Sequence, residues 1–299
     1  MRISALILNW KRPDETIRCL DSLRAHAPGV DVLVVDNASG DDSVARIRAA
    51  HPWVTIHEND RNAGYAGGND AGFRVLLAQT TDRPDAVLVL NNDVEVLPGC
   101  VEALQAAAEA DPGRGLFAPV SLMRDDPEIL DFHRARIDLA NLAVHALGRG
   151  ERRDPTEDVE SDYAPGSAFL IRRPALERLG GFHEDFFLVW EDVDLSLRAA
   201  KSGFGKTLVV ADARVLHEGS VTFGGAESPL YRYFYVRNSY LLIRRHLSGL
   251  RRWRTERLLD RRYRGWVAKT DEPRLKAAIA LGIEHAQANR FGPTPPELL

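Results

Sequence analysis

The 299-residue sequence contains only two cysteines and no long hydrophobic run. Cys19 and Cys100 lie far apart, and their spacing suits neither a metal site nor a disulfide framework, so we expect both to be packing residues in helices. No stretch approaches the roughly twenty apolar residues that a membrane-spanning helix needs. Residues 1–15 form too short an apolar segment, ending in charge, for a secretory signal. These absences predict a cytoplasmic protein.

An excess of positive charge is also lacking. The formal net charge is −4, which argues against a general nucleic-acid-binding protein. The segment from 237 to 264 is an exception, because its only acids are Glu256 and Asp260 and it carries many arginines among apolar residues. Such a basic amphipathic segment suits peripheral contact with the inner face of the cell membrane, but equally a solvated helix face or a homodimer contact. Its arginines are Arg237, Arg244, Arg245, Arg251, Arg252, Arg254, Arg257, Arg261, Arg262 and Arg264.

Hydrophobic periodicity predicts strands alternating with helices through about residue 110. This alternation is typical of a parallel, doubly wound α/β sheet. After residue 115 it ends, and residues 124–162 are polar enough to predict hairpins or loops. We expect one α/β domain at 1–228 and a helical, basic region at 229–299. Strands are predicted at 3–8, 32–35, 54–56, 87–90, 116–120, 208–210 and 214–216, with a turn and strand over 164–171 and a short helix at 174–179.

Three of the first four predicted strands end in polar residues, at 9–12, 36–40 and 91–93. Because the carboxyl ends of parallel strands meet at one sheet edge, where open α/β sheets bind ligands, these clusters predict one binding crevice. The alternative is surface turns, in which Asn and Asp are common. The glycine-rich segment 62–69 matches neither a P-loop nor a dinucleotide fingerprint. It predicts a loop whose backbone closely approaches a planar or sugar-like ligand.

Five short motifs carry a resemblance to a known family. They are NWKR at 9–12, VDNAS at 35–39, NAGYAGGN at 62–69, LNND at 90–93 and WEDVD at 190–194. In order and spacing they resemble the inverting family 2 glycosyltransferases of the GT-A fold, in particular a bacterial rhamnosyltransferase-like branch, over residues 1–245. The resemblance implies a Rossmann-like mixed central sheet flanked by helices, with a helical C-terminal extension. It also implies transfer of a sugar from a UDP- or TDP-sugar, TDP-rhamnose included, to a hydroxyl of a cell-surface glycan or lipid-linked acceptor.

On the donor side, the resemblance gives Asp36 a hydrogen bond from N3–H of uracil or thymine, since an ionised carboxylate only accepts. Arg12 would pair with the diphosphate, which its guanidinium fork suits. The alternative role for Asp36 is a turn cap. The other nucleotide-binding candidates are Asn9, Asn37, Asn62, Gly67 with Gly68, Asn91, Asn92 and Arg237.

The resemblance also implies a divalent metal, Mg²⁺ or Mn²⁺, bridging the two phosphates. Asp93 matches the last residue of the family's DxD-type motif, and His217 resembles its late metal-binding histidine. Asn91 and Asn92 stand where other members carry acids, so a single carboxylate remains and metal binding without nucleotide is expected to be weak. A histidine at a strand end is also often structural.

Catalysis is assigned by resemblance to the Glu191–Asp192 pair. An inverting transfer needs one base to deprotonate the acceptor hydroxyl, and Asp192 takes that role, with Glu191 orienting Asp192 or the acceptor. The alternative is that both acids only offset a helix dipole. The acceptor-side candidates are Trp190, Gly166 and Ser167.

Two other functions remain open at this point. A sugar nucleotidyltransferase would carry a glycine-rich basic signature after the first strand, where this chain has NWKR at 9–12. A non-catalytic nucleotide-sugar-binding protein would not need the Glu191–Asp192 pair.

Overall fold

A computed structural model describes residues 1–81, 83–218 and 228–298, and its centre is a ten-stranded sheet. A separate two-stranded hairpin stands beside it. The strands are β1 (Ile3–Asn9), β2 (Asp31–Asp36), β3 (Thr55–Glu58), β4 (Ala86–Asn91), β5 (Val94–Val96), β6 (Leu116–Met123), β7 (Leu130–Phe132), β8 (Arg134–Asp138), β9 (Ala143–Leu147), β10 (Val159–Ser161), β11 (Ala168–Arg172) and β12 (Thr207–His217).

The strand order places several carboxyl ends at one edge. The order is β10-β12-β6-β11-β4-β1-β2-β3, with β5 beside β12 and β7 beside β6, while β8 and β9 form the hairpin. Strands β4, β1, β2 and β3 are parallel, and Asn9 lies level with Asp36. Because β11 is antiparallel to both β4 and β6, and β12 is parallel to β6, β12 runs in the direction of β4. His217 therefore reaches the same edge as Asn91 and Asp93.

Helices cover both faces of the sheet. Cys19 and Cys100 are buried without a disulfide in one hydrophobic cluster, which confirms them as packing residues. Phe73 and Leu76 pack on the other face. The helices are α1 (Pro13–His26), α2 (Ser43–Ala50), α3 (Gly64–Ala78), α4 (Cys100–Ala110), α5 (Arg173–Leu179), α6 (Glu191–Lys201), α7 (Pro229–His246), α8 (Gly249–Lys269) and α9 (Pro273–Gln287), with 3₁₀ turns at Glu184–Phe186 and Pro296–Leu298.

The C-terminal helices pack on the sheet domain. Val236 and Tyr240 of α7 belong to the same hydrophobic cluster as Phe169 of β11. The expected mixed α/β sheet with a helical C-terminal region is confirmed. Within the described ranges, no helix is both long and apolar enough to cross a bilayer.

Two local predictions were wrong. The two strands predicted at 208–210 and 214–216 are one strand, β12, with a register irregularity between Val210 and Arg214 that interrupts its apolar pattern. The glycine-rich segment is mostly helix, because α3 begins at Gly64. A Cβ on Gly68 would lie 2.6 Å from Leu8 Cδ1, so this glycine allows α3 to pack closely on β1. Gly68 therefore serves helix–sheet packing, while Asn62, Gly64 and Tyr65 of the same segment line the cavity described below.

Candidate active site

One cavity of about 530 Å³ opens at the carboxyl edge of the sheet, a volume typical of small-molecule sites. Eleven of the predicted site residues line it, and the others do not. The residues on its wall are Asn37, Asn62, Asn91, Asn92, Asp93, Gly166, Ser167, Trp190, Glu191, Asp192 and His217. Asn9, Arg12, Asp36, Gly67 and Arg237 are not among its lining residues.

Asp93 and His217 meet at one corner of the cavity. Asp93 follows the end of β4, and His217 lies opposite Val94 where β5 pairs with β12. His217 Nε2 is 3.5 Å from Asp93 Oδ1, a buried atom that has no hydrogen-bond partner. Burial raises the pKa of Asp93, although the charge of His217 opposes that shift. A buried carboxylate oxygen without a partner, beside an imidazole nitrogen, is an arrangement that a divalent cation would satisfy.

The same corner lacks a complete ligand set. Within the ranges that the structure describes, no group of three or more His, Cys, Asp or Glu side chains is arranged to hold a metal. Asp93 and His217 therefore fit a cation that takes the rest of its coordination shell from substrate phosphates and water.

Asp131 is a residue that the sequence did not indicate. Its Oδ2 lies 2.8 Å from His217 Nδ1, and its Oδ1 is 3.3 Å from Arg149 NH2. The carboxylate favours a proton on Nδ1 and leaves Nε2 facing Asp93. Burial alone would lower the pKa of His217, but the hydrogen bond to Asp131 and the nearby carboxylates outweigh it and raise that pKa.

Glu191 and Asp192 begin α6 but have different surroundings. Asp192 accepts backbone hydrogen bonds from Gly166 N at 3.1 Å and Val193 N at 2.7 Å. Glu191 is buried, and its Oε2 has no hydrogen-bond partner. Burial, followed by repulsion from Asp192, holds the pKa of Glu191 well above its usual value. Burial also raises the pKa of Asp192, but its two backbone hydrogen bonds oppose that shift. The negative charge of the pair is therefore favoured on Asp192 and the proton on Glu191.

The residues before this pair have unusual backbone angles. Phe187, Val189 and Trp190 have φ values of 60°, 71° and 77°, a region that is costly for large or β-branched side chains. Asn238 of α7 holds them, since its Nδ2 lies 2.6 Å from the carbonyls of Phe186 and Leu188 and 3.0 Å from that of Val189. An element distant in sequence thus fixes the entry to α6.

Arg237 supports the same turn, which corrects its predicted contact with phosphates. Its side chain is buried, and its guanidinium donates to the carbonyls of Asp185, Phe186 and Gly292 at 2.8–3.2 Å. The guanidinium is satisfied inside the protein and does not reach the cavity.

Asp36 also has partners within the protein. Its buried carboxylate accepts from Asn9 Nδ2 at 2.7 Å and from Ser39 N and Oγ at 2.9 and 2.6 Å. Asp36 therefore caps the turn after β2, and Asn9 joins that turn to α1 through a 2.8 Å bond from Thr16 Oγ1. The predicted hydrogen bond from a base to Asp36 stays a prediction.

Three other donor-side candidates have local partners. Asn37, on the cavity wall, bonds through Nδ2 to Asn62 Oδ1 and to the Gly64 carbonyl, both at 3.0 Å. Arg12, at the start of α1, pairs with Glu15 at 3.3 Å and is not brought to the cavity. Gly67 lies inside α3, where an added Cβ would meet Ala63.

The acceptor-side candidates share an aromatic part of the cavity. Tyr65 donates from its hydroxyl to the Gly166 carbonyl at 2.5 Å, which fixes the turn that also bonds Asp192. Trp190 donates from Nε1 to the Tyr235 carbonyl at 3.1 Å. Aromatic faces of this kind offer apolar surface to a ring-shaped ligand. Tyr163, Tyr231 and Tyr235 also line the cavity and were not predicted.

Comparison with known proteins decides the family. The profile of the family described as Glycosyl transferase family 2 matches residues 4–180, more than half of the chain. The chain belongs to glycosyl transferase family 2. As a member of this family the chain is a glycosyltransferase, and its Glu191–Asp192 pair lines a cavity. The nucleotidyltransferase and non-catalytic alternatives are therefore set aside.

Individual relatives agree with this family. The chain is 33% identical over 222 residues to N-acetylglucosaminyl-diphospho-decaprenol L-rhamnosyltransferase of Mycobacterium tuberculosis, covering 68% of this chain and 71% of that protein. This places it near a bacterial rhamnosyltransferase-like branch.

Solved structures support the fold. The crystal structure of GalNAc-T7 with UDP, GalNAc and Mn²⁺ matches with a TM-score of 0.67 and 15% identity, over 96% of this chain and 56% of that one. The mannosyltransferase PcManGT of Pyrobaculum calidifontis, in complex with GDP-Man and Mn²⁺, matches with a TM-score of 0.59 and 14% identity, over 97% and 88%. At these identities the likeness shows a shared GT-A fold.

Proposed function

We propose that this family 2 glycosyltransferase is metal-dependent and inverting, and that it uses a UDP- or TDP-sugar. TDP-rhamnose is the first donor to test, and the acceptor is a hydroxyl of a lipid-linked or cell-surface glycan. The rhamnosyltransferase relative supports the donor and acceptor classes. The observation that carries the proposal is that Asp93 with His217, and Glu191 with Asp192, line a single cavity.

Asp192 is the base in this proposal. Its two backbone hydrogen bonds stabilise the ionised form, which is the form that can take a proton from the acceptor hydroxyl. Glu191 is the neutral neighbour, so it does not compete for that proton and can donate to the acceptor. Gly166 and Trp190 shape the wall that receives the acceptor.

Asp93 and His217 would hold a divalent metal, Mg²⁺ or Mn²⁺. When bound, such a cation stabilises the charge of the departing nucleoside diphosphate. The two solved structures described above contain Mn²⁺ with a nucleotide or nucleotide sugar, which supports this assignment. Asn37, Asn62, Asn91 and Asn92 offer amide donors and acceptors to the nucleotide.

We assign the chemistry to residues 1–228. The helices at 229–299 support it, because Arg237 and Asn238 fix the turn before Glu191.

The test compares two nearly isosteric variants. Asp192→Asn is expected to lower kcat by about 100-fold or more, because it removes the base. Glu191→Gln is expected to lower kcat much less, because the amide resembles the protonated acid. Transfer is measured as nucleoside diphosphate released from a panel of UDP-, TDP- and GDP-sugars with Mn²⁺, and calorimetry checks that both variants still bind nucleotide. Near-normal turnover by Asp192→Asn would contradict the proposal.

A further inference from the structure

Helix α8 presents an exposed stripe of unusual composition. Leu250 is 61% exposed and Trp253 is 55% exposed, and in the described ranges the only other large hydrophobic residue of this kind is Trp53, at 40%. At 100° per residue, both lie within an arc of about 100° that they share with four exposed arginines. The α8 stripe consists of Leu250, Trp253, Arg254, Arg257, Arg261 and Arg264.

The arginines of the α8 stripe are not neutralised. None of the four forms an ion pair with a carboxylate of the described residues, and Arg257 instead lies 5.6 Å from the Trp253 ring centroid. The two acids of α8 face the protein: Glu256 accepts from Arg244 and Arg252, and Asp260 accepts from the Tyr240 hydroxyl. The outer face therefore carries positive charge alone.

This composition separates the three interpretations of the basic segment. Large apolar residues on a solvated face are normally scattered singly, whereas Leu250 and Trp253 lie together at one end of the stripe. A symmetric contact between two copies would place arginine against arginine, which like-charge repulsion opposes. A cationic face with Trp and Leu suits the interface of a bilayer that contains anionic lipids.

The α8 stripe is also structurally connected to the active site. On its other side, α8 contacts the β8–β9 hairpin: Thr255 donates to the Ala140 carbonyl at 3.1 Å and Arg262 to the Leu142 carbonyl at 3.2 Å. Val144 and Ala146 of that hairpin line the cavity. The α8 stripe and the cavity are therefore connected through this hairpin, which contacts α8 at its turn and forms part of the cavity wall with β9.

We propose that the α8 stripe is a membrane-binding surface that seats the enzyme on anionic phospholipid. The inference rests on the proposed function in one respect, since a lipid-linked acceptor would then be presented at the surface on which the enzyme sits. Binding to the bilayer itself requires no catalysis.

The test is sedimentation with vesicles of phosphatidylcholine alone or with 30% phosphatidylglycerol, at two salt concentrations. We expect the full chain to bind only the anionic vesicles, and less at high salt. The triple variant Arg254→Glu, Arg257→Glu, Arg261→Glu should bind the anionic vesicles at least about 100-fold more weakly than the parent. Each arginine removed is expected to weaken binding by a factor of about ten or less. Leu250→Ser with Trp253→Ser should also weaken binding.

A matched control separates the stripe from total charge. Arg24, Arg153 and Arg178 are exposed at other sites, and their triple change to Glu alters the net charge by the same amount. This control should bind anionic vesicles within about tenfold of the parent. Equal loss in both triple variants would overturn the proposal, as would binding by the α8 triple variant at the parent level.

Two further results keep the outcomes distinct. The α8 triple variant should transfer sugar to a water-soluble acceptor analogue at the parent rate, because this reaction needs no membrane. If the parent protein transfers no sugar from any donor but still binds anionic vesicles, the proposed function is contradicted and the membrane proposal is not. If Leu250→Ser with Trp253→Ser converts a dimer to a monomer in sedimentation velocity, the stripe is a subunit contact and the membrane proposal is wrong.

Discussion

At the scale of single residues, the corner formed by Asp93, His217 and Asp131 shows how one side chain sets the chemistry of another. The imidazole is fixed from behind by Asp131 at 2.8 Å, while Asp93 Oδ1 has no hydrogen-bond partner. Carboxylates that orient a metal-binding histidine strengthen metal affinity without touching the metal. Asp131 is therefore a positioning residue for His217.

Replacing Asp131 with Asn should weaken metal-linked nucleotide binding. The amide no longer requires a proton on Nδ1, so His217 loses its fixed orientation, and metal affinity should fall by about 10- to 100-fold. Calorimetry of UDP and TDP binding with and without Mn²⁺ measures this effect, and Asp93→Ala should abolish the metal dependence. Asp125→Asn, at an exposed position, is the control and should match the parent. Unchanged Mn²⁺ dependence in Asp131→Asn would remove Asp131 from the site.

At the scale of elements, α7 positions the start of α6 through two separate sets of contacts. Asn238 and Arg237 hold the turn that contains three residues with positive φ. Asp194, fully buried in α6, accepts from Arg198 Nε at 2.7 Å and from Arg245 Nε and His246 Nε2 at 2.8 Å. The Glu191–Asp192 pair lies between these two anchors.

Asn238→Leu should separate catalysis from donor binding. It leaves three carbonyls without their donor and releases the strained turn, so kcat should fall at least about tenfold while the KM for the donor changes little. Steady-state kinetics with the donor varied measures both values. Ser239→Ala, which removes a buried hydroxyl bonded to Val236 within α7, is the matched control. Equal losses in both variants, or a change confined to KM, would contradict the positioning role.

Asp194→Asn should lower the free energy of unfolding by about 3 kcal/mol at pH 7, because a neutral amide replaces a fully buried carboxylate that accepts from Arg198, Arg245 and His246. Burial favours the neutral acid, yet the hydrogen bond from His246 and the charges of Arg198 and Arg245 hold the pKa of Asp194 well below its usual value. The native state thus keeps Asp194 ionised below about pH 4, where the unfolded chain binds a proton.

The stabilisation from Asp194 is therefore complete above about pH 4 and is lost as pH falls further. Urea unfolding from pH 7 to pH 3 should show the difference between the parent and Asp194→Asn narrowing below pH 4. Asp271→Asn, at an exposed position, should follow the parent throughout. A difference that stays constant or widens toward acid would contradict the role given to Asp194.

At the scale of the whole molecule, the fold follows from local sequence patterns and the site follows only in part. Strand alternation and polar strand ends are local signals that predicted a shared crevice, and Asn91 and Asp93 do line one cavity. Asp192 and His217, which the family resemblance indicated, line the same cavity. Asp131 and Asn238 act through contacts 86 and 50–52 residues away in sequence, which periodicity does not encode. These residues could be found only from the structure.

Two predicted nucleotide-binding residues, Asp36 and Arg237, lie outside the cavity lining for a common physical reason. Asp36 and Arg237 are polar groups that the fold buries, and burial obliges such groups to find partners within the protein. Motif likeness indicates which polar residues matter, but it does not separate those that contact a ligand from those that hold the backbone around it. Asp36 caps a turn, and Arg237 supports the turn before Glu191.

The proposed mechanism requires one cavity to hold the nucleotide, the metal and the base. Crystals grown with Mn²⁺ and UDP, or with TDP where it gives the larger thermal stabilisation, would locate the metal by its anomalous scattering. We expect one Mn²⁺ bonded to Asp93 and His217, with a bound diphosphate that points toward Asp192. Manganese or nucleotide bound only outside this cavity would contradict it.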